Sequence, residues 1–140
     1  MTEEDADSSN SALLYCDGAS SGNPGESGIG VVLTFKDSTY EISEPIGIAT
    51  NNIAEYTALI RGLSKARSLK VDRLQIFLDS ELLVRQIKGS YKVKNEKLKE
   101  LYQHVISLLK SFKGYNIQHI PREQNKKADA LAKKAVKAAC

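Results

Sequence analysis

The chain has no run of apolar residues that approaches the roughly 20 needed to cross a bilayer, which excludes a transmembrane helix. Met1 to Asn10 lacks the basic and apolar regions of a secretory signal, so a cytoplasmic location is the expectation. Cysteine is scarce. Cys16 and Cys140 are far apart and form no metal-ligand spacing. Cys16 sits in an apolar run and reads as a small buried hydrophobe; Cys140 reads as a free thiol. A disulfide between them would require the C-terminus to return to the first strand. No internal repeat and no second domain is visible. What remains is ordinary for one soluble domain: 140 residues, 41% hydrophobic and 26% charged.

The formal net charge of +3 hides an asymmetry. Residues 1–12 hold Glu3, Glu4, Asp5 and Asp7 and no base. The rest has 20 basic against 13 acidic residues, a balance of +7. Residues 1–11 read as a disordered acidic tail, and 12–140 as the folded domain. A basic body suits a polyanionic partner, but mild basicity alone singles out no function.

Ala12 to Cys16 predicts a short strand that ends at Asp17-Gly18. Ala19 to Gly28, rich in Gly, Ser, Asn and Pro, predicts a loop. Ile29 to Phe35 is β-branched, Lys36 to Ser38 turns, and Thr39 to Ile48 returns with a break at Pro45. A helix capped by Asn51 or Asn52 then carries Tyr56, Leu59, Ile60, Leu63 and Ala66 at spacings of three and four. Leu74 to Leu78 is a buried strand, and a short helix after Asp79-Ser80 contains Leu82, Leu83 and Ile87. A basic linker from Gly89 to Lys94 leads to a helical stripe of Leu98, Leu101, Val105, Leu108 and Phe112. Tyr115 to Ile120 is a fifth strand, and a last helix carries Ala128, Leu131, Ala132, Ala135 and Ala139. The order βββαβααβα predicts an α/β fold: a mixed five-stranded sheet, three strands antiparallel and two parallel, with helices on both faces.

Four carboxylates stand in distinctive settings: Asp17 before Gly18, Glu55 after Asn51-Asn52-Ile53-Ala54, Asp79 before Ser80, and Asp129 after Asn125-Lys126-Lys127-Ala128. Each has an ordinary explanation. Asp17-Gly18 could be a turn, Glu55 a first-turn acid favoured by the helix dipole, Asp79 an N-cap and Asp129 a solvated acid. Gathered in one cleft, they would repel one another by several kcal/mol unless cations lay between them. Oxygen-only ligands favour hard divalent ions, above all Mg²⁺ or Mn²⁺.

The segments Asp17-Gly18-Ala19-Ser20-Ser21-Gly22-Asn23-Pro24-Gly25, Thr50-Asn51-Asn52-Ile53-Ala54-Glu55, Leu78-Asp79-Ser80 and Arg122-Glu123-Gln124-Asn125-Lys126-Lys127-Ala128-Asp129-Ala130-Leu131-Ala132 resemble type 1 ribonuclease H, in order and in register from about residue 12 to 138. The resemblance is to the short archaeal and bacterial forms, because Ser90 to Lys94 passes almost directly into the long helix and leaves no room for a basic protrusion. It implies the ribonuclease H-like fold. It also implies a monomeric endonuclease that cleaves the RNA strand of RNA/DNA hybrids and leaves 5′-phosphate and 3′-hydroxyl ends.

By the same resemblance, Asp17, Glu55, Asp79 and Asp129 would hold two Mg²⁺ or Mn²⁺ ions about 4 Å apart when substrate is bound. Gly18, Ser20, Asn23, Asn51 and Asn52 would contact the minor groove and 2′-hydroxyls. Thr50 and Asn95 would hold a phosphate of the DNA strand. The family often has a histidine before the fourth acid; this loop has none, and Arg122 is the expected replacement. His104 reads as a surface residue and His119 as structural. Lys88, Lys92, Lys94 and Lys97, and a second set of Lys126, Lys127, Lys133, Lys134 and Lys137, read as solvated faces or phosphate contacts. The rival expectations are a nuclease of broader specificity that also cuts double-stranded RNA, a catalytically inactive hybrid-binding domain, and a domain detached from a reverse-transcriptase-type protein.

Overall fold

The computed structural model describes residues 10–139. Five strands form one sheet: β1 (Ser11–Ser20), β2 (Gly25–Phe35), β3 (Ser38–Ala49), β4 (Arg73–Leu78) and β5 (Gly114–His119). Their spatial order is β3-β2-β1-β4-β5. β1, β2 and β3 are antiparallel, and β4 and β5 run parallel to β1. The helices are α1 (Asn51–Ser68), α2 (Glu81–Lys88), α3 (Glu96–Leu109) and α4 (Lys126–Ala139), with a 3₁₀ turn over Arg122–Gln124. The expected order and mixed sheet are present. Ser11, assigned by sequence to the tail, already begins β1. The remainder of that tail up to Ser9, and Cys140, lie outside the described residues. Among the described residues, no helix is long and apolar enough to cross a membrane.

Side chains alternate across a strand, and here both faces are used. Leu14 and Cys16 of β1 face α1, where Gly62 makes room for them. Asp17 points to the opposite face, level with Gly30 of β2, which lies against Ala128 and Ala132 of α4. The main core sits under α1: Tyr56, Leu59, Leu63 and Ala66 pack with Leu14, Val31, Leu33 and Ile76. Each such large apolar side chain contributes roughly 1.5–3 kcal/mol by leaving water. α3 covers α1 with Val105, Leu108 and Leu109, and Phe112 joins the core just beyond that helix. The buried Tyr56 hydroxyl donates to Gln86 Oε1 at 2.7 Å and ties α1 to α2.

Three boundaries differ from expectation. Asp17 does not end the first strand: β1 runs on through Gly18, Ala19 and Ser20, paired with Ile29, Gly28 and Ser27. Small residues that look like loop in one dimension are strand here, and two of them sit where a helix passes too close for a larger side chain: Gly18 against α1 and Gly28 against α4. Thr50, not an asparagine, caps α1, its Oγ1 accepting from the Ile53 N–H at 3.2 Å. Glu55 therefore lies beyond the first turn. Ala139 is exposed, so the apolar face of α4 ends earlier. The break expected at Pro45 is present as a register shift opposite Ser27 and Gly28.

A Cβ on Gly30 would collide with the Ala128 carbonyl oxygen and stand 2.7 Å from the Ala132 nitrogen. Both are backbone atoms that cannot swing aside. Gly30→Ala is expected to cost about 1–3 kcal/mol or more, read as a lower urea midpoint at unchanged slope. A wild-type midpoint would show that α4 can lift from β2 freely.

Candidate active site

The local structure explains how four distant acids meet. Asp17 is the β1 residue whose side chain turns toward α4. Its neighbour Gly18 turns toward α1, and a Cβ there would meet the Ala54 and Glu55 backbone. The missing side chain lets α1 press against β1 and sets Glu55 beside Asp17. Asp79 follows the last residue of β4. It is not the cap of α2; Ser80 is, its Oγ accepting from the Leu83 N–H at 3.2 Å. Asp79 is therefore released toward the cleft. Asp129 enters from the first turn of α4. All four line one cleft of about 510 Å³, together with Gly18, Ser20, Asn51 and Arg122.

The electrostatics are those of crowded anions. Burial first, then Asp79, Asp129 and Glu55, push Asp17 up to about 8. Burial, opposed by a hydrogen bond from Ser80 and aided by Asp79, pushes Glu55 up to about 7. Asp129 goes the other way. Burial raises it, but a hydrogen bond from Asp17, Lys133 and Arg122 together outweigh that and hold it below the usual carboxylate range. Lys133 Nζ lies 3.0 Å from Asp129 Oδ2, and Arg122 lies 3.5 Å from Oδ1. Both oxygens of one acid are thus occupied by the chain's own cations. The exposed Arg122 contributes little to stability through such a contact.

The other expected substrate residues divide between two hollows. Gly18, Ser20 and Asn51 lie in the acidic cleft. Asn23, Thr50, Asn52 and Asn95 line a neighbouring hollow of about 290 Å³ with Lys97. The Asn51 N–H donates to Asn23 Oδ1 at 3.1 Å and links the two. Asn95 also caps α3, its Oδ1 accepting from Leu98 N–H. Lys92 faces elsewhere, in a hollow with Tyr91, Lys99 and Tyr102. His119 is exposed on β5 and does not line the cleft, and His104 is on the surface, as expected.

Sequence reasoning treated Lys133 and Lys137 as members of a lysine set, yet both line the acidic cleft. Lys133 follows Asp129 by one helical turn, the spacing that makes side chains neighbours, and that was the available signal. Asn125 was passed over inside its motif, although it is buried between the strands that carry Asp17 and Asp79.

The donor set is all oxygen and strongly anionic, which fits a hard divalent cation. Among the described residues, no three acidic, histidine or cysteine side chains are arranged so that they could hold a metal ion together. In this cleft Asp129 is turned to Lys133 and Arg122, and Ser80 hydrogen-bonds Glu55. The acids fit such an ion as an open site that further oxygens would complete.

A family model described as Reverse transcriptase-like matches residues 15–135. Ribonuclease H of Geotalea uraniireducens is 31% identical over 137 residues, covering 88% of this chain and 92% of that protein. The chain belongs to the type 1 ribonuclease H family. A bifunctional protein of Mycobacterium tuberculosis is 40% identical over 130 residues, 91% of this chain; the chain spans only 36% of that protein's length. LC11-RNase H1, from compost and solved in complex with RNA/DNA hybrid, superposes with a TM-score of 0.85 at 42% identity. That match covers 91% of this chain and 98% of the other. The ribonuclease H fold thus accounts for the sheet order.

Asp17 and Glu55 bind protons more tightly in the folded chain than in the unfolded one. The stability linked to those protons is complete below about pH 4, falls progressively as pH rises, and is gone once pH passes about 7 for Glu55 and about 8 for Asp17. Asp129, held low, acts in the opposite sense and only in acid. In EDTA the contribution of these two acids to the wild-type Tm is expected to fall between about pH 4 and pH 8, and Asp17→Asn to flatten that fall. Equal slopes in the two proteins would refute the assignment of the raised proton affinity to Asp17.

Proposed function

We propose that this chain is an endoribonuclease that hydrolyses the RNA strand of RNA/DNA hybrids, with Mg²⁺ or Mn²⁺ as cofactor. The observation that carries it is the gathering of Asp17, Glu55, Asp79 and Asp129 in one cleft beside a polar hollow. The hybrid complex of LC11-RNase H1 supports the substrate. The catalytic unit is residues 12–140, acting as a cytoplasmic monomer.

Two ions would be held when substrate phosphate adds its oxygens, one by Asp17 and Asp129, the other by Asp17, Glu55 and Asp79. Bound there, they would supply Lewis acidity that eases deprotonation of the attacking water and offsets charge on the leaving oxygen. In-line displacement would leave a 5′-phosphate and a 3′-hydroxyl. Lys133 and Arg122 balance Asp129 in the free protein and must release its oxygens as substrate arrives. Arg122, on an exposed turn, is then free to steady a phosphate beside Asp129.

Selecting RNA requires contact with the 2′-hydroxyl, the group that DNA lacks. Gly18, Ser20, Asn23, Asn51 and Asn52 offer short polar groups and backbone along the rim, and Glu55 accepts from the same side. Thr50 and Asn95 cap α1 and α3, and both helix N-termini open on one hollow that also holds Lys97. Two helix dipoles and a lysine favour an anion there, which supports a DNA-strand phosphate as occupant. The linker lysines add a diffuse positive field.

Strand-resolved cleavage of end-labelled hybrid, double-stranded RNA and double-stranded DNA tests this. The expected result is cutting of the RNA strand of the hybrid with Mg²⁺ or Mn²⁺, none in EDTA, and a roughly 10³-fold or greater loss in Asp17→Asn. Cutting of double-stranded RNA at an equal rate would establish the broader specificity. No cutting by folded protein would leave a binding domain. Arg122→Ala is expected to lower kcat by roughly 10-fold or more with KM little changed; full kcat removes Arg122 from the chemistry. The double variant Lys92→Ala, Lys94→Ala should raise KM and flatten its dependence on salt, and an unchanged slope rules out phosphate contacts by these lysines.

A further inference from the structure

Asn125 is 1% exposed, a depth unusual for an amide, and it stands between the 3₁₀ turn and α4. Its Nδ2 donates to the Cys16 carbonyl oxygen at 3.0 Å and to Asp79 Oδ2 at 2.8 Å. The two amide hydrogens thus meet two acceptors. Its backbone N–H donates to the Arg122 carbonyl at 2.9 Å, and its carbonyl accepts from the Asp129 N–H at 3.0 Å. One residue therefore touches the strand residue before Asp17, the Asp79 carboxylate itself, and the backbone of both Asp129 and Arg122. Its Oδ1 is buried with no hydrogen-bond partner. A side chain kept for packing alone would be apolar, because an unmatched buried oxygen costs free energy that an apolar group avoids.

We infer that Asn125 is a positioning residue: its amide clamps one oxygen of Asp79 and locks the start of α4 to the middle of β1 and to the residue that follows β4, so that Asp17, Asp79 and Asp129 stay grouped in one cleft. Only a neutral amide does this. An aspartate in its place would repel Asp79, and an apolar residue would leave both the Cys16 carbonyl and Asp79 without a donor. The unmatched Oδ1 follows from that demand, since both hydrogens are used and the oxygen is turned into the core. Partners of this kind fix a ligand's orientation without binding the metal themselves, and their loss typically weakens metal affinity or activity by roughly 10–100-fold. The inference rests on the metal-dependent reading of the cleft.

The test uses Asn125→Leu, which keeps the volume and removes the unmatched oxygen, and Asn125→Ser, which keeps a small donor. Circular dichroism and Tm in EDTA identify the folded variants. Two readouts follow: the Mn²⁺ concentration that half-saturates the rise in Tm of the free protein, and kcat, KM and the Mn²⁺ activation constant on hybrid. The expected result for Asn125→Leu is a folded protein whose Tm in EDTA is no higher than wild type, because losing two hydrogen bonds to buried acceptors outweighs removing the unmatched oxygen. Half-saturating Mn²⁺ should rise about 10–100-fold in both assays, with the KM for hybrid unchanged and Asn125→Ser intermediate. Wild-type Mn²⁺ dependence and kcat in a folded variant would overturn the positioning role alone, and a lower Tm in EDTA with unchanged Mn²⁺ dependence would assign Asn125 to structure only. Wild-type protein with neither an Mn²⁺-dependent Tm nor cleavage would instead overturn the metal reading, and the clamp with it.

Discussion

The close approach of two helices to the backbone of one hairpin governs everything else in this molecule. Gly18 admits α1 and Gly30 admits α4, each by offering no Cβ where helix backbone must pass. Gly30 is the register partner of Asp17, and Gly18 is its neighbour in the chain. The two contacts therefore fall on opposite sides of the same acid. One delivers Glu55 to Asp17 and the other delivers Asp129. The parallel pairing of β4 with β1 adds Asp79 from the third side. Packing of small residues, not attraction among the acids, assembles the site.

That assembly opposes electrostatics, and the chain answers in three ways. Protons are retained, as the raised Asp17 and Glu55 express. Internal cations are supplied, with Lys133 and Arg122 taking the two oxygens of Asp129. Neutral donors are fixed in place: Ser80 toward Glu55 and Asn125 toward Asp79. Under the proposed function, divalent cations would replace both protons and lysine as counter-charge in this cleft. The adjoining hollow has the opposite character. There two helix N-termini and Lys97 present positive potential. Under the proposed function, an acidic cleft for cations beside a positive hollow for anions would suit a duplex whose two backbones are treated differently.

Much of this was legible in one dimension. The stripe Tyr56, Leu59, Ile60, Leu63 and Ala66 is buried as its spacing required, because a helix against a sheet has one possible apolar face. The β-branched run of β2 and the apolar residues of β4 carried the sheet, and the four acids were found through their motifs. The errors share a cause. Ala19 to Gly28 looked like loop because Gly, Ser, Asn and Pro favour turns, whereas part of it is strand whose small residues answer to α4. Thr50 displaced the asparagines as cap of α1, and Ser80 displaced Asp79 as cap of α2. Adjacent polar residues compete for a cap, and only the chain path decides between them.

By itself, the sequence determined which elements form, which faces are apolar and which acids are the candidates for chemistry, because periodicity, turn composition and motif spacing are local properties. Only the tertiary structure decided what surrounds those acids. That Lys133 takes an oxygen of Asp129, that Asn125 spans Cys16 and Asp79 across more than a hundred and about forty-six positions, and that Thr50 and Asn95 share one hollow are facts of long-range packing. No local pattern encodes them, since each depends on how closely a helix can approach a strand, and two glycines set that distance.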